Sequence, residues 1–431
     1  MTKTKFKQTE IGEIPEDWTV KKISEGLVSL NDNSISKKNT LKIINYYDTS
    51  AVYRGKFEKP TKYTLEEAPS RAKRLAIKGD ILISTVRPNQ EHFGYVQSIE
   101  DGDVFSTGFV VITSKKIESK YLYYFLTSQR VTNILHQIAE SHTSTYPSFK
   151  PEDILKLNIP YPPIDEQQRI AKIISDLDSK IELLQNQNKT LESIGKTIFK
   201  QWFVDFEFPN EEGKPYKSSG GEMIESELGE IPKGWTMTTV KDCGKVVCGK
   251  TPSTQDKDNF GADYPFITIP DMHNQIFIIN TERKLSVKGA NTQIKKELPS
   301  LSICVSCIAT PGIVALTTEP SHTNQQINSI VCDSSISPYF MYLTMKLKSQ
   351  EIKNMGLGGT ATLNLNTGDF ERLKIMLPDK TILNKFHLIL SPLFDKILNS
   401  SREIINLTRT RDLLLPKLMS GKIRVPIEVP Q

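Results

Sequence analysis

Between residues 164 and 200, apolar side chains return on alternating four- and three-residue steps. They are Ile170, Ile174, Leu177, Ile181, Leu184, Leu191 and Ile198, with Asn188 and Gly195 at the two missing positions. This 3.5-residue period predicts a helix carrying a coiled-coil seam. Asp165 and Glu166 fall in its first turn, where the helix dipole favours acids. At 1.5 Å per residue it would span about 55 Å. A second seam is predicted over about 381–419: Phe386, Leu390, Leu393, Ile397, Ile404, Leu407, Leu414 and Leu418, broken by Ser400 and Arg411. Each position is its counterpart in the first helix plus 216, where both exist. Pro392 and Pro416 are expected to kink or fray this helix. Two seams in one chain most simply pair with each other. Asn188 reads either as a polar residue that sets register or as the solvated edge of a short seam.

Outside these helices the pattern changes. Residues 11–160 carry short strand-type runs, such as Ile81-Leu82-Ile83 and Phe109 to Ile112, broken by Gly, Pro, Asn and Asp turns. A helical stretch from Tyr121 to Ile138 places its aromatics in a core. Residues 228–378 form a second such body, and the polar stretch Asn210 to Glu222 reads as a linker. The expected fold class is therefore α/β (α+β), with two globular bodies separated by an antiparallel two-helix coiled coil. The expected segments are 1–160, a first body; 161–208, its helix; 209–227, a linker; 228–378, a second body; 379–420, its helix; and 421–431, a tail.

The chain also repeats itself. Gly12-Glu13-Ile14-Pro15-x-x-Trp18 returns as Gly229-Glu230-Ile231-Pro232-x-x-Trp235, at an offset of 217 (229 − 12). Lys180-Ile181 aligns with Lys396-Ile397 at 216. One offset held along the chain signifies two copies of a large module with pseudo-twofold character.

A net charge of +5 across 105 charged residues (55 + 50) excludes a histone-like polycation and leaves room for local basic patches. Five cysteines, an odd number, suit a reducing compartment, and the polar, Lys-rich start does not read as a signal peptide. No apolar run reaches the roughly 18 residues of a membrane span. A cytoplasmic protein is expected.

Catalytic motifs fail on context. Gly244 to Thr251 matches the P-loop letters, but Pro252-Ser253-Thr254 is turn composition where a helix should open. Cys304-x-x-Cys307 lies in an apolar strand whose alternation sends the two thiols to opposite faces, which disfavours shared metal ligation. Asn158-Ile159-Pro160-Tyr161 lacks the first proline of an adenine methyltransferase loop. No metal or catalytic residue is assigned.

What remains suits recognition. Arg54, Lys56, Lys62, Arg71 and Arg74 belong to a basic segment that reads either as a phosphate-neutralising patch or as a solvated face. Arg87, Asn89, Gln90 and His92 follow a strand and are of types that read base edges. The second body offers His322, Asn324 and Gln325 at a related place. Ser144-Thr145 and Thr360-Ala361-Thr362 lie in matched small-residue loops suited to close backbone approach.

The constellation resembles the specificity (S) subunit of type I restriction–modification systems. The resemblance rests on the paired Gly-Glu-Ile-Pro-x-x-Trp openings, Ile159 to Gln167 leading into the first seam, Gln201-Trp202-Phe203-Val204-Asp205-Phe206, Gly249-Lys250-Thr251-Pro252-Ser253 and Leu418 to Ile423. It covers nearly the full length. The second helix opens with Leu377-Pro378-Asp379-Lys380 and departs from the Pro-Pro-x-x-Glu-Gln form of the first. The resemblance implies two target-recognition domains, each reading half of a bipartite site in double-stranded DNA. Two readers on one face of a duplex must sit near one helical turn apart, about 34 Å, and the strongly different variable segments (54–92 against 251–298) predict different half-sites and so an asymmetric target. It implies that the helices dock two modification subunits, which bind S-adenosylmethionine and methylate adenine, and that restriction subunits act with ATP and Mg²⁺. This chain would then be non-catalytic and hold no cofactor, and Lys250, Thr251 and Ser253 would face DNA. The rival readings are a nucleotide-dependent enzyme using Gly244 to Thr251, and a coiled-coil scaffold that binds proteins alone.

Overall fold

The computed structural model describes residues 4–35, 42–142, 145–227, 229–356 and 364–425. The chain divides into two compact units, residues 1–182 with 405–431, and residues 183–404. Each unit therefore takes a piece of both long helices, Ile164–Phe203 and Lys380–Met419. The second helix does not fray at its prolines: it runs as one helix through Pro392 and Pro416. One missing N–H weakens a turn, but Leu390, Phe394 and Ile397 on either side of Pro392 are buried, and Pro416 stands in the last turn.

Within each unit the helix segments run antiparallel. In the first, Arg411 donates to Asp178 at 2.8 Å, and Tyr124 donates to the same carboxylate at 2.8 Å. In the second, Asn188 donates to Ser401 at 3.1 Å, and Leu390 packs over Gly195, where an added Cβ would stand 3.1 Å from its Cδ1. Ile170, Ile174, Ile181, Leu184, Phe386, Leu390 and Ile397 are buried, whereas Leu177, Leu191, Leu393, Ile404 and Leu407 are half-buried.

The duplication is written in the sheets. In the first unit a four-stranded sheet runs Phe93–Tyr95, Ile81–Ser84, Phe109–Ser114, Val28–Leu30. In the second the same order appears as Val314–Thr317, Ile303–Ser306, Ile327–Cys332, Gly244–Cys248, with Phe277–Ile278 added at one edge. A smaller sheet repeats as well. Ile43–Tyr47 lies parallel to Asp103–Ser106 and antiparallel to Thr61–Thr64, and Phe260–Ile267 lies parallel to His322–Thr323 and antiparallel to Arg283–Leu285. The opening motifs form equivalent hairpins, Phe6–Thr9 with Gly12–Pro15 and Met223–Ser226 with Gly229–Pro232.

Each unit closes on the tryptophan of its opening motif. Trp18 donates its indole N–H to Glu166 at 2.9 Å, and that carboxylate also receives Arg424. Trp235 packs against Phe203, Phe206 and Phe208. Phe208 also stacks on Tyr216, and Tyr216 N–H bonds the Phe208 carbonyl at 2.9 Å, so the stretch read as a linker is pinned in its first half. The predicted helix from Tyr121 to Ile138 is two, Ser119–Leu126 and Gln129–His142, with Tyr121 and Tyr124 buried as core.

Candidate nucleic-acid interface

In the first unit the strand Ile81–Ser84 delivers the chain into a tight polar loop. Arg87 and Glu91 flank the turn Pro88–Gln90, and both are left-handed, with φ of 47° and 58°. A neighbouring hairpin brings Arg54, also left-handed at 45°, onto Glu91 as an ion pair. Such backbone is rare outside glycine and clusters where a surface is shaped for a purpose. Backbone bonds hold the loop in place. Arg87 N–H bonds the Pro147 carbonyl at 2.8 Å, and the His92 ring bonds the Val52 carbonyl at 2.8 Å.

Arg87, Asn89 and Gln90 are exposed, and the Arg87 guanidinium lies 5.5 Å from the Tyr146 ring centre. Tyr146 is 67% exposed and Tyr53 49%, and Tyr53 sits against both Arg54 and His92. Arginine and tyrosine faces together suit stacking and phosphate contact. Tyr53 and Tyr146 escaped the sequence reading; aromatics inside polar turns were the available signal. Thr145 is exposed beside Tyr146, whereas Ser144 lies outside the described residues.

The other basic residues spread over several elements. Lys56 is exposed on the short hairpin strand Lys56–Phe57, and Lys62 is exposed on the edge strand Thr61–Thr64. Arg74 is half-buried on Ala72–Arg74, the opposite edge of that sheet, with exposed Arg71 just before it. Two strands intervene between those edges, so the segment is not one compact patch.

In the second unit the P-loop letters resolve into a strand and a turn. Gly244–Cys248 pairs with Ile327–Cys332. The amides that would cradle a nucleotide phosphate are consumed, Gly249 N–H by Ile327 at 3.1 Å and Lys250 N–H by Thr323 at 2.9 Å. The next helical turn is only Lys257–Asn259. Gly249 is required here because a Cβ would lie 2.1 Å from the Asn324 carbonyl oxygen. Thr251 donates to Gln325 at 2.7 Å, so Lys250, Thr251, Asn324 and Gln325 do meet, with Ser253 exposed nearby.

His322 is a correction. It lies fully buried on His322–Thr323, no ring nitrogen has a partner, and burial lowers its pKa below the usual 6.5. A neutral, enclosed imidazole does not reach a base edge. The region around Asn324 is also not the counterpart of the Arg87 loop. Equivalent strands place that counterpart after Ile303–Ser306, where Ala309 is left-handed at 63° and Ile308 bridges Asn364 as Val86 bridges Ser148. Thr310 and Pro311 occupy the positions of Pro88 and Asn89. Thr360 and Thr362 lie outside the described residues.

Cys304 and Cys307 are buried in separate cores, and burial pushes their thiols up to about 12 and about 11. Among the described residues no group of three or more His, Cys, Asp or Glu could hold a metal ion, and no helix is long and apolar enough to cross a membrane.

The model of the type I restriction modification DNA specificity domain matches this chain twice, over residues 15–193 and 232–409. The chain belongs to that family. The two matches coincide with the two repeats. Among relatives, the type I restriction enzyme HindI specificity subunit of Haemophilus influenzae is 38% identical over 94% of this chain and 100% of its own. The MjaIX specificity subunit of Methanocaldococcus jannaschii is 31% identical, covering 98% and 97%. The crystal structure of a type I restriction-modification S subunit from M. genitalium shares the fold, with a TM-score of 0.61 at 16% identity, covering 96% of this chain and 98% of that one.

Proposed function

We propose that this chain is the DNA-reading, non-catalytic subunit of a type I restriction–modification complex in a prokaryotic cytoplasm, and that it recognises an asymmetric bipartite duplex target. The observation that carries this is one strained, exposed, arginine- and amide-bearing loop on a sheet whose order recurs in the second repeat with different loop residues: Arg87-Pro88-Asn89 against Ala309-Thr310-Pro311. The same scaffold carrying different loop residues favours two different half-sites. Residues 1–160 and 228–378 act as target-recognition domains, 161–208 and 379–420 as spacer helices, 209–227 as linker and 421–431 as tail. The helices dock two modification subunits, which supply S-adenosylmethionine-dependent adenine methylation, and restriction subunits supply ATP- and Mg²⁺-dependent cleavage.

The test is to map N6-methyladenine across the genome in cells with and without this chain, holding the modification subunit constant. Loss of one asymmetric, gapped motif supports the proposal. An unchanged map overturns it.

A further inference from the structure

Val52-Tyr53 and Lys56-Phe57 pair as a hairpin, so Arg54-Gly55 is its two-residue turn. Both turn residues are left-handed, with φ of 45° and 81°. Such turns favour Asn-Gly or Gly-Gly, because most side chains crowd a left-handed backbone. An arginine therefore stands where turn chemistry alone would not put it. Glu91 is left-handed too, at 58°, and the two strained residues meet twice. The Arg54 N–H bonds the Glu91 carbonyl at 3.0 Å, and the Arg54 side chain gives Nε and one terminal nitrogen to a single Glu91 carboxylate oxygen. The hairpin is fastened on either side of that pair. Gly55 N–H bonds the Phe93 carbonyl at 2.8 Å, and the His92 ring donates to the Val52 carbonyl. The Glu91 side chain is 16% exposed and the Arg54 side chain 60%, so the acid is mostly covered and the guanidinium is open to a partner.

A guanidinium holds its donors in one rigid plane. Glu91 occupies the edge that carries Nε, which leaves the two terminal nitrogens to present N–H groups side by side. Two parallel donors on a fixed plane match O6 and N7 of guanine in the major groove. A backbone phosphate is the poorer fit. The Arg54–Glu91 pair carries no net charge, and a phosphate brought to Arg54 would meet the repulsion of the Glu91 carboxylate at close range. A base edge is neutral, so it needs aimed donors rather than net charge.

We propose that Arg54 reads one guanine of the target through its two terminal nitrogens, and that Glu91 is the positioning residue that aims it. The assignment rests on the DNA-reading function above. It makes one member of the basic segment a base reader instead of a phosphate contact.

The experiment uses the assembled subunit–methyltransferase complex and a duplex bearing the mapped target. Each guanine is replaced in turn by 7-deazaguanine, which pairs normally and lacks the N7 acceptor. Affinity for target and for unrelated duplex is read by fluorescence anisotropy over a salt series. Wild type is expected to weaken at one guanine that Arg54→Lys no longer senses. The other sensitive guanines should keep their effect in the variant, which reports an intact complex. Arg54→Lys keeps the charge and loses the fork. It should bind target about 5- to 150-fold more weakly, with an unchanged slope of log K against log salt. Glu91→Gln removes a negative charge and keeps an acceptor for Arg54. It should bind unrelated duplex more tightly yet discriminate less at that one base pair, opposite movements that a merely structural role would not give. If Arg54→Gln weakens target and unrelated duplex equally and lowers the slope by about 0.9, Arg54 is a phosphate contact and the proposal is overturned. A target in which Arg54→Lys silences no guanine overturns the reading role, and a Glu91→Gln complex with unaltered discrimination overturns the positioning role, while DNA recognition stands in both cases. A wild-type complex that binds no duplex overturns the proposal together with the function on which it rests.

Discussion

Replacing Arg424 by alanine should open the first unit. Its guanidinium grips two carboxylates at once: Glu166 through Nε at 2.8 Å and a terminal nitrogen at 3.0 Å, and Asp17 at 3.0 and 2.8 Å. The two partners differ in burial. Glu166 is 1% exposed and also holds the Trp18 indole, whereas the Asp17 side chain is 55% exposed. Solvent screening limits the Asp17 half to roughly 0–1 kcal/mol. The Glu166 half is larger, because removing one partner of a buried pair strands a charge at a cost of about 3–5 kcal/mol. That sum is much of a domain's total stability of about 5–15 kcal/mol. A second substitution isolates the cause. Glu166→Gln keeps the shape and the acceptor for Trp18 but carries no charge, so Glu166→Gln with Arg424→Ala should recover most of the loss. Hydrogen exchange resolves the effect locally: amides of Gly12–Pro15 and Thr19–Lys22 should lose protection in the single variant and regain it in the double. Amides within residues 183–404 serve as the internal reference. A single variant costing under about 1 kcal/mol, or a double variant as weak as the single, refutes the stranded-charge reasoning.

Arg87→Ala should relax or abolish recognition in one half of the target only, by about 1–3 kcal/mol if the guanidinium makes a bidentate base contact; methylation mapping that shows an unchanged motif removes it as a reader. Gly421→Ala should destabilise the first unit by more than about 1 kcal/mol, because φ is +68° and a Cβ would stand 2.4 Å from Pro15; an unchanged urea midpoint would contradict this. His322 should make the second unit weaken on acidification. Its folded pKa lies below 6.5, so the unfolded chain takes up the proton first, and stability, complete above about pH 6.5, falls as pH drops through that value. His322→Leu should flatten this dependence relative to wild type in urea titrations, and parallel pH profiles would show that the imidazole is not its source.

The parts legible in the sequence were those set by local periodicity. A heptad seam and a repeated turn motif each fit within a few residues, so both helices and the duplication could be read directly. Gly195 looked like a gap in the seam and is where Leu390 sits, a partner from 195 residues away that no local pattern reveals. The loop counterpart failed for a related reason. The offset of 216 to 217 grows to 222 (303 − 81) between equivalent sheet strands, because the intervening variable segments differ in length. Pairing register, not sequence count, identifies Ala309 with Arg87. His322 carries the letters of a reader, but Ser321, His322 and Thr323 are all buried, which side-chain type alone cannot report. The pinned stretch after Phe208 looked like a linker because its order comes from three stacked rings, not from a period.

The division into units also sets an order of assembly. Every residue of the second unit precedes position 405, whereas the first unit needs residues 405–425 to cover Trp18. The Arg424–Asp17 contact spans 407 positions. On the ribosome the half that is made first is therefore completed last. Its apolar seat for Leu418 and Met419 stays open while the other half folds, in the kind of interval in which exposed hydrophobic surface invites misassembly. Truncation just after residue 404 should spare the later-made half and ruin the earlier one.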